Sequence, residues 1–267
     1  MSEIDSDGLA FSPSQVYCSG ILCPSLNAPD VIFTCLYYIR MGKLQHHQRL
    51  WQIDFIRGLA IVGMIVYHLI FDLYFFGRGD LNPFSPPLII FARFVASVFL
   101  FLVGVTFFLS WKKYPRHHQL FIHNLKRSLL IFLAASLVSL VTFLIDPSLT
   151  VRFGILHLIS ISLLLLLPFS LIRSSVLLLA TAFIFLLAPF PSSALPAFDY
   201  YPLFPWFGLV LLGFALAPKI PLSHQVRPPS PLFSPLLFLG RHSLIVYLLH
   251  QPLLIFFIYL ISRFSNA

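Results

Sequence analysis

The stretch that decides the fold is Trp51-Gln-Ile53-Asp54-Phe-Ile-Arg57-Gly58-Leu-Ala-Ile-Val-Gly-Met-Ile-Val-Tyr-His68-Leu-Ile-Phe-Asp72-Leu-Tyr-Phe-Phe76. From Ile53 to Phe76 it is apolar enough, and long enough, for one bilayer-crossing helix of roughly 17–25 residues. Four ionisable groups interrupt it: Asp54, Arg57, His68 and Asp72. Each is costly in hydrocarbon and is therefore a functional candidate by default. At about 100° per residue, Arg57 and His68 fall on nearly one face, roughly 16 Å apart along the axis. Asp54 is placed to pair with Arg57, and Asp72, one turn beyond His68, to orient its imidazole. The first helix thus carries a polar stripe on an apolar body.

The apolar runs continue outward from this segment. Six more spans are expected, over 88–111, 127–145, 153–170, 174–190, 203–218 and 236–262, after a first span at 53–76. Turn-forming residues separate them, as at Asn82-Pro83, Pro86-Pro87, Asp146-Pro147, Pro189 to Pro196 and Pro218 to Pro231. The alternating pattern of a membrane β-barrel is absent. Composition agrees: 58% of the 267 residues are hydrophobic and only 10% are charged, against about 25% charged in soluble domains. That deficit excludes an ordinary soluble enzyme, a disordered tail and a nucleic-acid-binding domain. The expected fold is all-α: a polytopic integral membrane bundle of about seven transmembrane helices. The net charge of +8 then marks the cytoplasmic side rather than a nucleic-acid partner. Arg40, Lys43 and Arg49 precede the first span; Lys112, Lys113, Arg116, Lys126 and Arg127 fill the second gap; Arg173, Lys219 and Arg227 follow in alternate gaps. This bias puts the N-terminus in the cytoplasm and the Pro189–Pro202 segment outside.

Residues 1–48 read as a separate N-terminal extension, ahead of a membrane domain over 49–267. The extension holds Cys18, Cys23 and Cys35, with no metal-binding spacing, and an apolar run at 31–38 too short to span. Met41, just before the basic lead into the first span, reads as the native start; a mature chain retaining residues 1–40 overturns that. With so few carboxylates, no metal site is expected.

A second polar cluster lies in the last span: Gly240-Arg241-His242-Ser243, Tyr247 and His250-Gln251-Pro252. Ser243, Tyr247 and His250 share a helical face, and the group suits a cavity lining or a contact with the first helix. Taken singly, each is more ordinarily an interhelical hydrogen-bonding residue, and Asp54–Arg57 serves equally as an interfacial anchor. His157 is a weaker candidate of the same kind. The run Lys112 to His118 is foremost a basic loop near anionic lipid, with a phosphorylated cofactor as the alternative partner.

Three motifs carry a family resemblance. The Arg57-x10-His68 spacing is similar to that of membrane-bound acyltransferases. Ile53-Asp54-Phe-Ile-Arg57-Gly58, Phe101-Leu-Val-Gly104-Val-Thr-Phe-Phe-Leu-Ser110 and Leu239-Gly-Arg-His-Ser-Leu-Ile-Val-Tyr-Leu-Leu-His-Gln-Pro252 resemble the heparan-α-glucosaminide N-acetyltransferase catalytic-domain family, in its small bacterial members. The resemblance implies transfer of an acetyl group from cytoplasmic acetyl-CoA to an acceptor across the membrane, an amino sugar or glycan, in a bacterial plasma membrane. It makes His68 and Asp72 the catalytic pair. Arg57, Asp54, Arg241, His242 and His250 become the acetyl-CoA-binding set. Lipid, acetyl-CoA, the acceptor and a second copy of the chain are the implied partners. In the lysosomal branch the residue matching His68 is not histidine, and the catalytic histidine lies in the lumenal stretch beyond. This chain has no histidine between His68 and His117, so the role of His68 follows from the Arg-x10-His pattern. A small transporter or lipid-interacting protein using the same polar stripe is the alternative of a different class.

Overall fold

The computed structural model describes residues 17–18, 21–22 and 50–265, apart from 115, 148–149, 173, 189–199 and 222–229. Two units result, Met1–Arg49 and Leu50–Ala267. In the first, the described residues are a two-residue antiparallel pair, β1 (Tyr17–Cys18) and β2 (Ile21–Leu22). Cys23, Cys35, the 31–38 run and Met41 lie outside the described residues.

The second unit is an all-α bundle of α1 (Trp51–Phe75), α2 (Pro86–Lys113), α3 (His117–Ile145), α4 (Ile155–Phe169), α5 (Ser175–Leu187), α6 (Leu203–Leu216), α7 (Ser234–Arg241) and α8 (Ser243–Ser265). Four of them, α1, α2, α3 and α8, are long and apolar enough to cross a membrane, while α4, α5 and α6 are shorter apolar helices. At about 1.5 Å per residue the 15-residue α4 covers only some 22 Å.

Two boundaries differ from the sequence expectation. The third helix starts at His117 rather than near residue 127. Its first turns are polar by composition, but Leu120, Asn124 and Ser128 recur every fourth residue and are buried against the bundle. Tertiary packing therefore extends a helix that hydropathy alone would start later. The expected last span at 236–262 is two helices broken at His242. The Phe238 carbonyl accepts from both the backbone N–H and the Nδ1 of His242, closing α7 there. α8 continues through Pro252.

The core lies where α2, α4 and α6 meet, with Leu100, Phe107, Leu158, Leu163, Phe207 and Val210 fully buried. Large apolar side chains also cover the outside, among them Leu129, Leu133 and Leu144 on α3 and Phe256, Phe257 and Ile261 on α8. In water this surface would aggregate; in lipid it is matched by its solvent. The chain is an integral membrane protein.

Small residues set the closest helix approaches. A Cβ on Gly104 would collide with the Val210 carbonyl of α6, and one on Gly213 with the Phe101 carbonyl of α2. The same device joins α1 to α7: a Cβ on Gly58 would strike the Leu236 carbonyl, and one on Gly240 the Asp54 carbonyl. Phe233, just ahead of α7, stacks on Trp51 at 6.3 Å and meets Phe55 edge-on at 4.9 Å. At its other end α1 stops cleanly. Gly77, at φ 66°, takes the left-handed position. Arg78 N–H returns to Leu73 O at 2.8 Å and Gly77 N–H to Tyr74 O at 3.0 Å, a Schellman turn. This stop lies just beyond Asp72.

Candidate active site

The polar residues of α1 form two layers, each completed by the α7–α8 segment. At the Trp51 end, Arg57 donates from one guanidinium nitrogen to Asp54 Oδ1 and to the Gly240 carbonyl, both at 3.3 Å. Arg241 Nε forms an ion pair with Asp54 Oδ2 at 3.5 Å. One buried carboxylate thus sits between two arginines from different helices. It can do so because Gly58 and Gly240 let the two backbones touch. Arg241 is half exposed and His242 is exposed, its ring lying on Phe238 at 4.4 Å. His242 is therefore turned to its own helix rather than joined to Asp54 and Arg57.

The second layer lies roughly 16 Å further along α1. The rings of His68 and His250 meet edge to face at 4.8 Å. The Nδ1 of His68 bonds the Met64 carbonyl at 2.9 Å, and that of His250 bonds the Tyr247 carbonyl at 2.6 Å. A carbonyl can only accept, so both Nδ1 atoms carry a proton, and in the neutral ring Nε2 presents the lone pair. His250 is 8% exposed, and its Nε2 has no hydrogen-bond partner among the described residues. Beside the imidazoles, Gln251 Nε2 donates to Asp72 Oδ1 at 2.7 Å.

Asp72 was expected to hold the imidazole of His68. The structure gives that hydrogen bond to Met64 O instead, and gives Asp72 to Gln251. The reason is directional. Helical side chains lean toward the N-terminus, so the His68 ring reaches back over the Met64 turn. The shorter Asp72 side chain finds its donor on α8. His250, grouped by sequence with the Arg57 set, stands with His68. The order of contacts, Asp54 with Gly240 and Arg241, His68 with His250, Asp72 with Gln251, shows α1 and the α7–α8 segment running parallel.

The family model for heparan-alpha-glucosaminide N-acetyltransferase, catalytic, matches residues 49–252. The chain belongs to this family. The match ends at Pro252, so both layers of this membrane acetyltransferase lie within it. No curated protein and no solved structure matches the chain.

Gln251, grouped by sequence with the polar cluster expected to line a cavity or contact the first helix, makes that contact through Asp72. Arg127, the first residue of the expected span 127–145, lies within α3 rather than at its start. His157 is set apart, stacked on Phe153 and edge-on to Phe132, both at 5.7 Å. Among the described residues no cluster of three metal-ligating side chains occurs.

Proposed function

We propose that the protein transfers an acetyl group from acetyl-CoA, bound on the cytoplasmic side near Arg57, to an amine acceptor reached from the opposite side, an amino sugar or glycan, across a bacterial plasma membrane. Residues 1–48 stand outside the catalytic body. The observation that supports this best is the His68–His250 pair, in which each imidazole is held by its own helix and leaves Nε2 basic.

In this reading the acceptor nitrogen attacks the thioester carbonyl as His68 Nε2 takes the nitrogen's proton. The C–N bond forms, the C–S bond breaks, and the thiolate leaves, to be reprotonated from His68. Asp72, one turn on, lends negative charge to the transient imidazolium. Arg57 and Arg241, oriented by Asp54, offer planar donor forks to donor phosphates. His250 packs against His68 and limits its ring motion, and His242 lies exposed toward the donor side. The extended donor arm bridges the roughly 16 Å between the layers.

The test is transfer of label from radioactive acetyl-CoA by membranes carrying the protein, with glucosamine supplied on the opposite side. His68→Ala is expected to lower transfer by about 10²–10⁴-fold. Undiminished transfer in that variant sinks the assignment of the base. Absence of transfer together with ion or solute flux in proteoliposomes favours the transporter instead.

A further inference from the structure

The Asp72–Gln251 pair does more than join two helices. Gln251 uses its only donor group on Asp72 Oδ1, so its other end is an acceptor oxygen. That oxygen, Oε1, and the second carboxylate oxygen of Asp72 are both buried with no hydrogen-bond partner among the described residues, and Asp72 is only 3% exposed. Buried acceptors with nothing to accept are costly, and two together repel any third acceptor. What satisfies them is an N–H or O–H. The same holds at His250 Nε2, next to Gln251 on α8 and beside His68. The second layer therefore holds three buried acceptor atoms, Asp72 Oδ2, Gln251 Oε1 and His250 Nε2, toward which the described residues direct no donor.

We propose that Asp72 and Gln251 form a second recognition point for the acceptor. They take a hydroxyl or another donor group of the acceptor while its reacting amine lies at the imidazoles. This rests on the acetyl-transfer reading and adds to it the side chains that hold the acceptor away from its reacting amine: a second hydrogen-bond donor of the acceptor sits on Asp72 and Gln251. An amine with no second donor occupies only the imidazole end. Gln251 is in this view a specificity residue. It presents Oε1 directly and, through Nε2, holds Asp72 Oδ2 toward the same group.

The experiment compares two acceptors with the full chain in lipid nanodiscs. Glucosamine carries an amine and several hydroxyls; cyclohexylamine carries the amine alone. Asp72→Asn replaces one acceptor oxygen by a donor at constant shape, and Gln251→Leu removes both ends of the amide. Each is expected to raise the KM for glucosamine about tenfold or more; with Gln251→Leu the KM for acetyl-CoA and for cyclohexylamine stays within about twofold, whereas Asp72→Asn also lowers kcat for both amines. An unchanged glucosamine KM overturns the proposal, and so does an equal rise for both amines. If no acceptor is acetylated at all, the acetyl-transfer reading fails by itself. Calorimetric binding of glucosamine to His68→Ala protein, with and without Asp72→Asn, then decides the subsite separately: binding lost with Asp72→Asn supports it, and binding unaltered or absent from both refutes it.

Discussion

Replacing Gly240 by Ala should unseat α7 from α1. The added Cβ would lie well inside contact distance of the Asp54 carbonyl oxygen. Ordinary contacts need about 3.5–4.0 Å, so one backbone must retreat by more than about 1 Å. No flexible side chain is there to yield instead. Overpacking of this kind costs about 1–3 kcal/mol. The retreat also stretches the 3.3 Å bond from Arg57 to the Gly240 carbonyl, a hydrogen bond to a charged donor that contributes about 1.5–3 kcal/mol. Taking the low end of each, because Arg57 keeps some solvent access, the loss is about 2.5 kcal/mol. Gly63→Ala is the control: its Cβ would meet only the Cγ2 of Val95, at 2.9 Å, the end of a side chain that can shift. The assay is thermal unfolding in detergent of wild type and both variants. A far lower midpoint for Gly240→Ala than for Gly63→Ala is expected. Equal midpoints would refute the claim that backbone contact at Gly240 joins the two helices.

Asp54→Asn leaves an acceptor for Arg57 but strips the charge between two arginines. Because Arg241 is half exposed, the expected loss is only about 1–2 kcal/mol, seen as a lowered unfolding midpoint. Ser128→Ala removes the 2.8 Å bond from α3 to the Ser160 carbonyl of α4 and should cost about 0.6–1 kcal/mol, with acetyl transfer unchanged. A transfer rate that drops with Ser128→Ala would mean that the α3–α4 contact reaches the site.

Legibility in the sequence followed the physics of each signal. The polar stripe of α1 was readable because helical periodicity within one segment is local: Arg57 and His68 share a face whatever surrounds them. The start of α3 was not, because hydropathy cannot see that Leu120, Asn124 and Ser128 are buried by a neighbouring helix and carry α3 three turns further. The break at His242 was equally invisible. It lies just past Gly240, where α7 is held in backbone contact with α1.

Sequence alone determined the solvent, the helical class and the family, since apolar runs of bilayer length and three ordered motifs are properties of the chain itself. It also named every ionisable residue of the two layers. Only the tertiary structure decided who pairs with whom. His68 lies in contact with His250, Asp72 bonds Gln251, and Asp54 stands between Arg57 and Arg241. Two of these three arrangements depend on how α8 lies along α1, the third on α7. That packing is set by contacts between segments far apart in the chain, which no local periodicity encodes.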